Sequence, residues 1–167
     1  MGWRPDAWQR EKTNVRHPAS LLLVFHGSRA PRASETAREL CERLRRADAA
    51  KGQGRWRAVE GAWIQFGEPN VTQALERMAA GGDRLLVVAP ILALPGRHLE
   101  EDLPRAVEAF RSRYPQCAVH VMGPLASLPG LAELLLQTAA AACDDGSGPP
   151  DERGSQDEDA SDSDGDA

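Results

Sequence analysis

The stretch Leu85–Pro104, reading LLVVAPILALPGRHLEEDLP, constrains what this chain can fold into more than any other. Its first five residues, Leu85-Leu86-Val87-Val88-Ala89, are apolar without alternation, the pattern of a central strand buried on both faces of a parallel sheet. Pro95 and Gly96 break the run, Arg97 and His98 follow, and Glu100-Glu101-Asp102 open the next helical segment. A basic and titratable pair therefore stands just past the carboxyl end of a strand, the edge at which open α/β sheets bind ligands. Residues 21–29, LLLVFHGSR, repeat the plan: an apolar strand, a histidine at its end, a glycine turn and a polar pair. Two strands that each deliver a histidine to one edge are the basis for arguing function.

The rest of the chain alternates in the same way. Strand one is Leu21 to Phe25, and an amphipathic helix from about Ala33 to Ala49 follows, with Leu40 and Leu44 at helical spacing. Trp56 to Phe66 reads as strand two, Pro69 suits the first turn of a helix over Asn70 to Ala80, and Gly81-Gly82 stops it. Strand three is Leu85 to Leu92, and a helix spans Leu99 to Tyr114. Pro104 is tolerable there only if the helix proper begins near Leu103. Cys117 to Met122 is strand four, and Gly130 to about Ala142 the last helix, carrying Leu131, Leu134, Leu135 and Thr138. The order predicts an α/β fold, a four-stranded parallel sheet flanked by helices with right-handed crossovers. The expected organisation is a polar arm over 1–19, a folded domain over 20–143 and a disordered acidic tail over 144–167.

Charge sharpens that division. Ten acidic residues and one arginine lie from Asp144 on, a net −9, which leaves +4 on the rest of a chain whose total is −5. A mildly basic body suits an anionic ligand. The three cysteines, Cys41, Cys117 and Cys143, have no CxxC spacing and indicate neither a disulfide framework nor a thiolate metal site. No apolar run is long enough to span a membrane and the first residues lack an apolar signal core, so a cytoplasmic protein with no membrane or nucleic-acid partner is expected.

His26 and His98 are the candidate catalytic and metal-binding residues. Each follows an apolar strand, where solvent is expected to be limited and a neutral imidazole can take a proton or a divalent cation. Two imidazoles leave coordination positions open and would hold Co, Ni, Fe(II) or Zn loosely, as metal transfer requires. Glu68, at the end of strand two and before Pro69, could accept protons or hold a cation, or could be a carboxylate near a helix start. Ser28 and Arg29 could present amides and charge to an anion, or form ordinary turn chemistry. Arg97 could meet a substrate carboxylate, or pair with Glu100 or Glu101. His17 lies in the arm, and His120, inside strand four, is expected to be a satisfied structural side chain. Glycine-rich nucleotide motifs and a G-x-S-x-G elbow are absent.

Taken in order, LLLVFHGSRAP, AWIQFGEPNVTQAL, LLVVAPILALPGRHLEEDLP and GPLASLPGLAELL resemble the class II chelatases of the CbiX/SirB type, over about Leu21 to Gln137. The resemblance implies insertion of a divalent metal (Co2+ or Fe2+, also Ni2+) into sirohydrochlorin, for cobalamin, sirohaem or coenzyme F430 synthesis. The metal is then a substrate, and no organic cofactor is needed. It also implies that His26 and His98 bind the metal, that Glu68 contacts substrate, and that Ala93, Leu94, Pro95, Gly96 and Arg97 line the tetrapyrrole. A single repeat of this length resembles the short form, which pairs as a homodimer. The sequence departs from the family pattern at Gln65, where relatives often carry Glu, at Leu128-Pro129, where His-Pro is frequent, and in an acidic rather than His-rich segment. The alternatives are a non-catalytic tetrapyrrole or metal carrier of the same fold, and a phosphotransfer or hydrolase enzyme using His26 as nucleophile.

Overall fold

The structure is a computed structural model and describes residues 19–52 and 54–144; the expectations for the arm, with His17, and for the tail lie outside the described residues. Strand β1 (Ala19–Phe25) leads into helix α1 (Pro31–Ala50), β2 (Trp56–Trp63), α2 (Val71–Ala80) and β3 (Leu85–Pro90). A π-helical turn over His98–Asp102 then passes directly into α3 (Leu103–Arg113), followed by β4 (Ala118–Val121), a 3-10 turn (Leu125–Ser127) and α4 (Leu131–Asp144). All pairings are parallel and the sheet order is β2-β1-β3-β4. Contacts divide the chain into one unit that ends at Leu131 and another from Ala132 on. In the second, α4 carries exposed Leu134, Leu135 and Leu136.

Within the first unit the sheet has an apolar cluster on each face. Even-numbered β1 residues Leu22 and Val24 join Leu86 and Val88 under α2 and α3, which contribute Leu75, Met78, Leu103, Val107 and Phe110. Odd-numbered Leu21 and Leu23 join Val59 and Ala89 with Cys41, Leu40 and Leu44 of α1. The period of two along β1 thus serves two cores at once. Opposite the ligand-binding edge, Ser20 Oγ donates to buried Asp83 at 2.7 Å, and Arg57 lies 3.5 Å from the same carboxylate oxygen.

Several expectations are corrected in detail. The more fully buried strand is β1, buried from Ala19 to Val24; β3 is central, but its Leu85 and Val87 are half-buried. Strand β2 stops at Trp63, three residues short of Phe66: Trp63 N–H donates to Pro69 O (3.1 Å) on the outer edge, and beyond it only single bonds from Ile64 N–H to Phe25 O (2.9 Å) and from Gln65 N–H to His26 O (3.1 Å) keep the chain alongside the end of β1. Pro69 is not in the first turn of α2. It precedes Asn70, the N-cap, whose side chain accepts from Gln73 N–H while the Gln73 side chain accepts from Asn70 N–H, a complete capping box. His120 pairs through its backbone in the edge strand β4, but its side chain is exposed and makes no hydrogen bond among the described residues, so it is not the satisfied interior side chain expected. Pro104 sits in the first turn of α3, which begins at Leu103.

Candidate metal-binding site

Both histidines emerge at the carboxyl edge of the two middle strands. His26 directly follows β1, and Gly27 turns the chain with φ of 100°, a left-handed value natural to glycine. The turn is also tight: a Cβ on Gly27 would lie 1.6 Å from Gln65 O. His98 arrives later, after the loop that leaves β3. Gly96 O accepts from the N–H groups of both Leu99 and Glu100 at 2.9 Å, which starts the π-helical turn that carries His98. The 3-10 turn holds this loop in place, with Leu125 N–H donating to Leu92 O (2.8 Å) and Ala126 N–H to Ala93 O (3.0 Å).

The two imidazole rings meet with centroids 4.7 Å apart at 73°, edge to face. Their hydrogen bonds determine which nitrogens remain available. His26 Nδ1 lies 3.1 Å from Gly27 O, a group that only accepts, so Nδ1 carries the proton in the neutral ring. Nε2 then accepts from the Gln65 amide at 3.1 Å. His98 Nδ1 donates to the Asp102 carboxylate at 2.7 Å, which leaves its Nε2 lone pair free. A carboxylate behind an imidazole fixes ring orientation and tautomer and raises its basicity toward a metal. Neither Asp102 nor Gln65 was expected in this role; the His98-x-x-x-Asp102 spacing, one helical turn, was the available signal.

Solvent reaches the pair. His26 is exposed, contrary to expectation, because it stands on the loop beyond β1 rather than within the strand; His98 is about one-third exposed. No group of three or more His, Cys, Asp or Glu able to hold a metal exists among the described residues. Two nitrogen donors with open positions are a site of loose grip and quick release.

The other candidates divide. Ala93, Leu94, Pro95, Gly96 and Arg97 are all exposed in the loop that ends at His98. Arg97 lies 3.6 Å from Glu101, one of the two partners anticipated. Ser28 Oγ accepts from Ala30 N–H at 3.1 Å, which is turn chemistry, and the N-cap of α1 is Ala30. Arg29 stacks on Phe66, 4.8 Å from its ring centroid. Glu68 does not end β2: it lies five residues past it, joined to Pro69 by a cis peptide, exposed and without a hydrogen bond or ion pair among the described residues. It lines a cavity of about 290 Å³ between α1 and β2 with Arg38, Cys41, Arg45 and Trp63, a space that neither His26 nor His98 lines. Burial pushes the Cys41 thiol up, only partly offset by Arg45, so it stays a neutral apolar neighbour.

Residues 20–142 match the CbiX family model. The chain belongs to the CbiX family. The sirohydrochlorin cobaltochelatase of Methanococcus maripaludis is 30% identical over 91 residues, 54% of this chain and 59% of that protein. The sirohydrochlorin cobaltochelatase of Priestia megaterium is 32% identical over 99 residues, 58% of this chain and 29% of that one. The chain thus spans less than two thirds of these relatives. Among solved structures, a cobalamin (vitamin B12) biosynthesis CbiX protein of Marinobacter aquaeolei shares the fold with a TM-score of 0.61 at 21% identity, covering 77% of this chain and 99% of that one. The sirohydrochlorin chelatase SirB of Bacillus subtilis subspecies spizizenii in complex with cobalt gives 0.62 at 23% identity, covering 77% and 51%. The parallel sheet and flanking helices are therefore the fold of the CbiX/SirB chelatases.

Proposed function

We propose that this CbiX-family chain is a chelatase that inserts a divalent metal, Co2+ or Fe2+ and also Ni2+, into sirohydrochlorin. The observation that carries the reading is the pairing of His26 and His98, centroids 4.7 Å apart, at the ligand-binding edge of the sheet. Supporting it are the names of relatives, sirohydrochlorin cobaltochelatases, and the cobalt in a SirB structure of the same fold.

The chemistry follows from the donor set. An incoming divalent ion takes the free Nε2 of His98 and displaces the Gln65 amide from Nε2 of His26. With two protein donors, the ion keeps open positions for the four ring nitrogens, and each new bond to the macrocycle can replace one to imidazole or water. Two N–H protons leave the tetrapyrrole as the metal enters; the Nε2 atoms of His26 and His98, vacated as the ion passes to the ring, can take them, and Glu68, exposed and without an ion pair among the described residues, is a further carboxylate able to take one. Arg29, Arg97, Ser28 and the loop from Ala93 to Gly96 provide charge, hydrogen bonds and apolar contact for a macrocycle rimmed with carboxylates. The working form in this reading is a cytoplasmic homodimer whose chemistry lies within residues 20–143.

A carrier that binds without catalysis is the second reading, and Gln65 favours it: an amide, where a carboxylate would accept protons, caps one ligand nitrogen. Mixing the protein with sirohydrochlorin and Co(II), Ni(II) or Fe(II) separately, and following the absorbance change of metal entry, distinguishes the two. A chelatase accelerates entry, and His26→Ala abolishes the acceleration while the circular dichroism of the fold is kept. A carrier shifts the spectrum on binding and leaves the rate of metal entry at the uncatalysed value.

A further inference from the structure

Among the described residues up to Leu131, the large apolar side chains that stand exposed are Phe66, at 53%, and Leu94, at 68%. Both flank the imidazole pair in sequence: Phe66 follows Gln65, which is bonded to His26, and Leu94 lies in the loop that ends at His98. Phe66 has a further oddity. Its φ is 54°, in the left-handed region where a side chain crowds the backbone and glycine or asparagine sits more easily. Burial does not explain an aromatic there, since over half of it faces solvent. Its ring nevertheless has a defined neighbour, the Arg29 guanidinium at 4.8 Å from the centroid, from the same turn that presents His26. A bulky ring held in an unfavourable conformation, exposed, next in sequence to Gln65 and in contact with Arg29 of the His26 turn is a feature of a binding surface rather than of a core.

We infer that Phe66 is a substrate-positioning residue: its ring, backed by Arg29, is a stacking platform for the flat conjugated face of the tetrapyrrole, with Leu94 the matching apolar contact on the second histidine's loop. The inference rests on the tetrapyrrole reading above. A guanidinium stacked on a ring keeps its in-plane N–H groups directed outward, where a peripheral carboxylate of the macrocycle can accept them. Phe66 and Arg29 therefore act as one unit, the ring ordering the cation and both meeting one ligand.

Phe66→Gly separates this role from a structural one, because glycine accepts the backbone angle. Metal-free sirohydrochlorin is titrated into wild type, Phe66→Gly and Phe66→Trp, with steady-state Co(II) insertion and thermal midpoints measured alongside. The expected result is an affinity weakened about tenfold in Phe66→Gly, a rise in KM that exceeds any fall in kcat, a thermal midpoint equal to or above wild type, and substantial recovery of affinity in Phe66→Trp. Wild-type affinity in Phe66→Gly, when wild type itself binds and inserts metal, overturns this inference and leaves the chelatase reading standing. A thermal midpoint that falls together with affinity assigns Phe66 a packing role and also overturns it. Failure of the wild type to bind sirohydrochlorin overturns both.

Discussion

At the scale of single residues, the site consists of two imidazoles and the groups that orient them. Asp102 accepts from His98 at 2.7 Å and Gly27 O accepts from His26 at 3.1 Å, so both rings keep the proton on Nδ1 and present Nε2. Removing the carboxylate frees His98 to rotate and lowers its basicity toward a metal. Asp102→Ala is expected to weaken Co(II) binding by about tenfold, measured by competition with a chromophoric chelator, with little change in thermal midpoint because the half-buried Asp102 side chain bonds His98 alone among the described residues. The histidines themselves were legible in sequence, since each follows an apolar run. Their exposure and the Gln65 and Asp102 side chains bonded to them were not: whether a side chain at a strand end faces core or solvent depends on how the loop leaves, and Gly27 and the π-helical turn determine that.

Secondary-structure elements carry these residues to one edge. The apolar runs of β1 and β3 and the helix break before Pro104 were readable, because buried parallel strands and prolines leave strong local signals. The end of β2 was not, because Trp63-Ile64-Gln65-Phe66 keeps the alternation of a strand and Ile64 and Gln65 still bond Phe25 O and His26 O; the chain leaves the sheet only at Phe66, whose φ of 54° no local pattern announces. That departure places Gln65 over His26 and leaves Phe66 at positive φ. Helix α2 begins immediately beyond, under the Asn70–Gln73 capping box. Asn70→Ala is expected to cost about 1 kcal/mol of stability in denaturant unfolding. Metal affinity in that variant is expected to be unchanged, since the Asn70 side chain bonds only Gln73 N–H among the described residues.

For the molecule as a whole, the parallel order β2-β1-β3-β4 makes β1 and β3 neighbours, and this adjacency is what lets histidines 72 residues apart share one place. The chemistry requires that sharing: two separate monodentate histidines would bind divalent ions weakly and independently, whereas a pair gripping one ion is coupled. The most direct test is Co(II) affinity, read from the visible absorption of the bound ion, in wild type, His26→Ala, His98→Ala and the double variant. A shared ion predicts that each single change costs about tenfold or more and that the double variant loses far less than the product of the two single losses. Wild-type affinity in either single variant, or losses that multiply as for independent sites, would contradict the account.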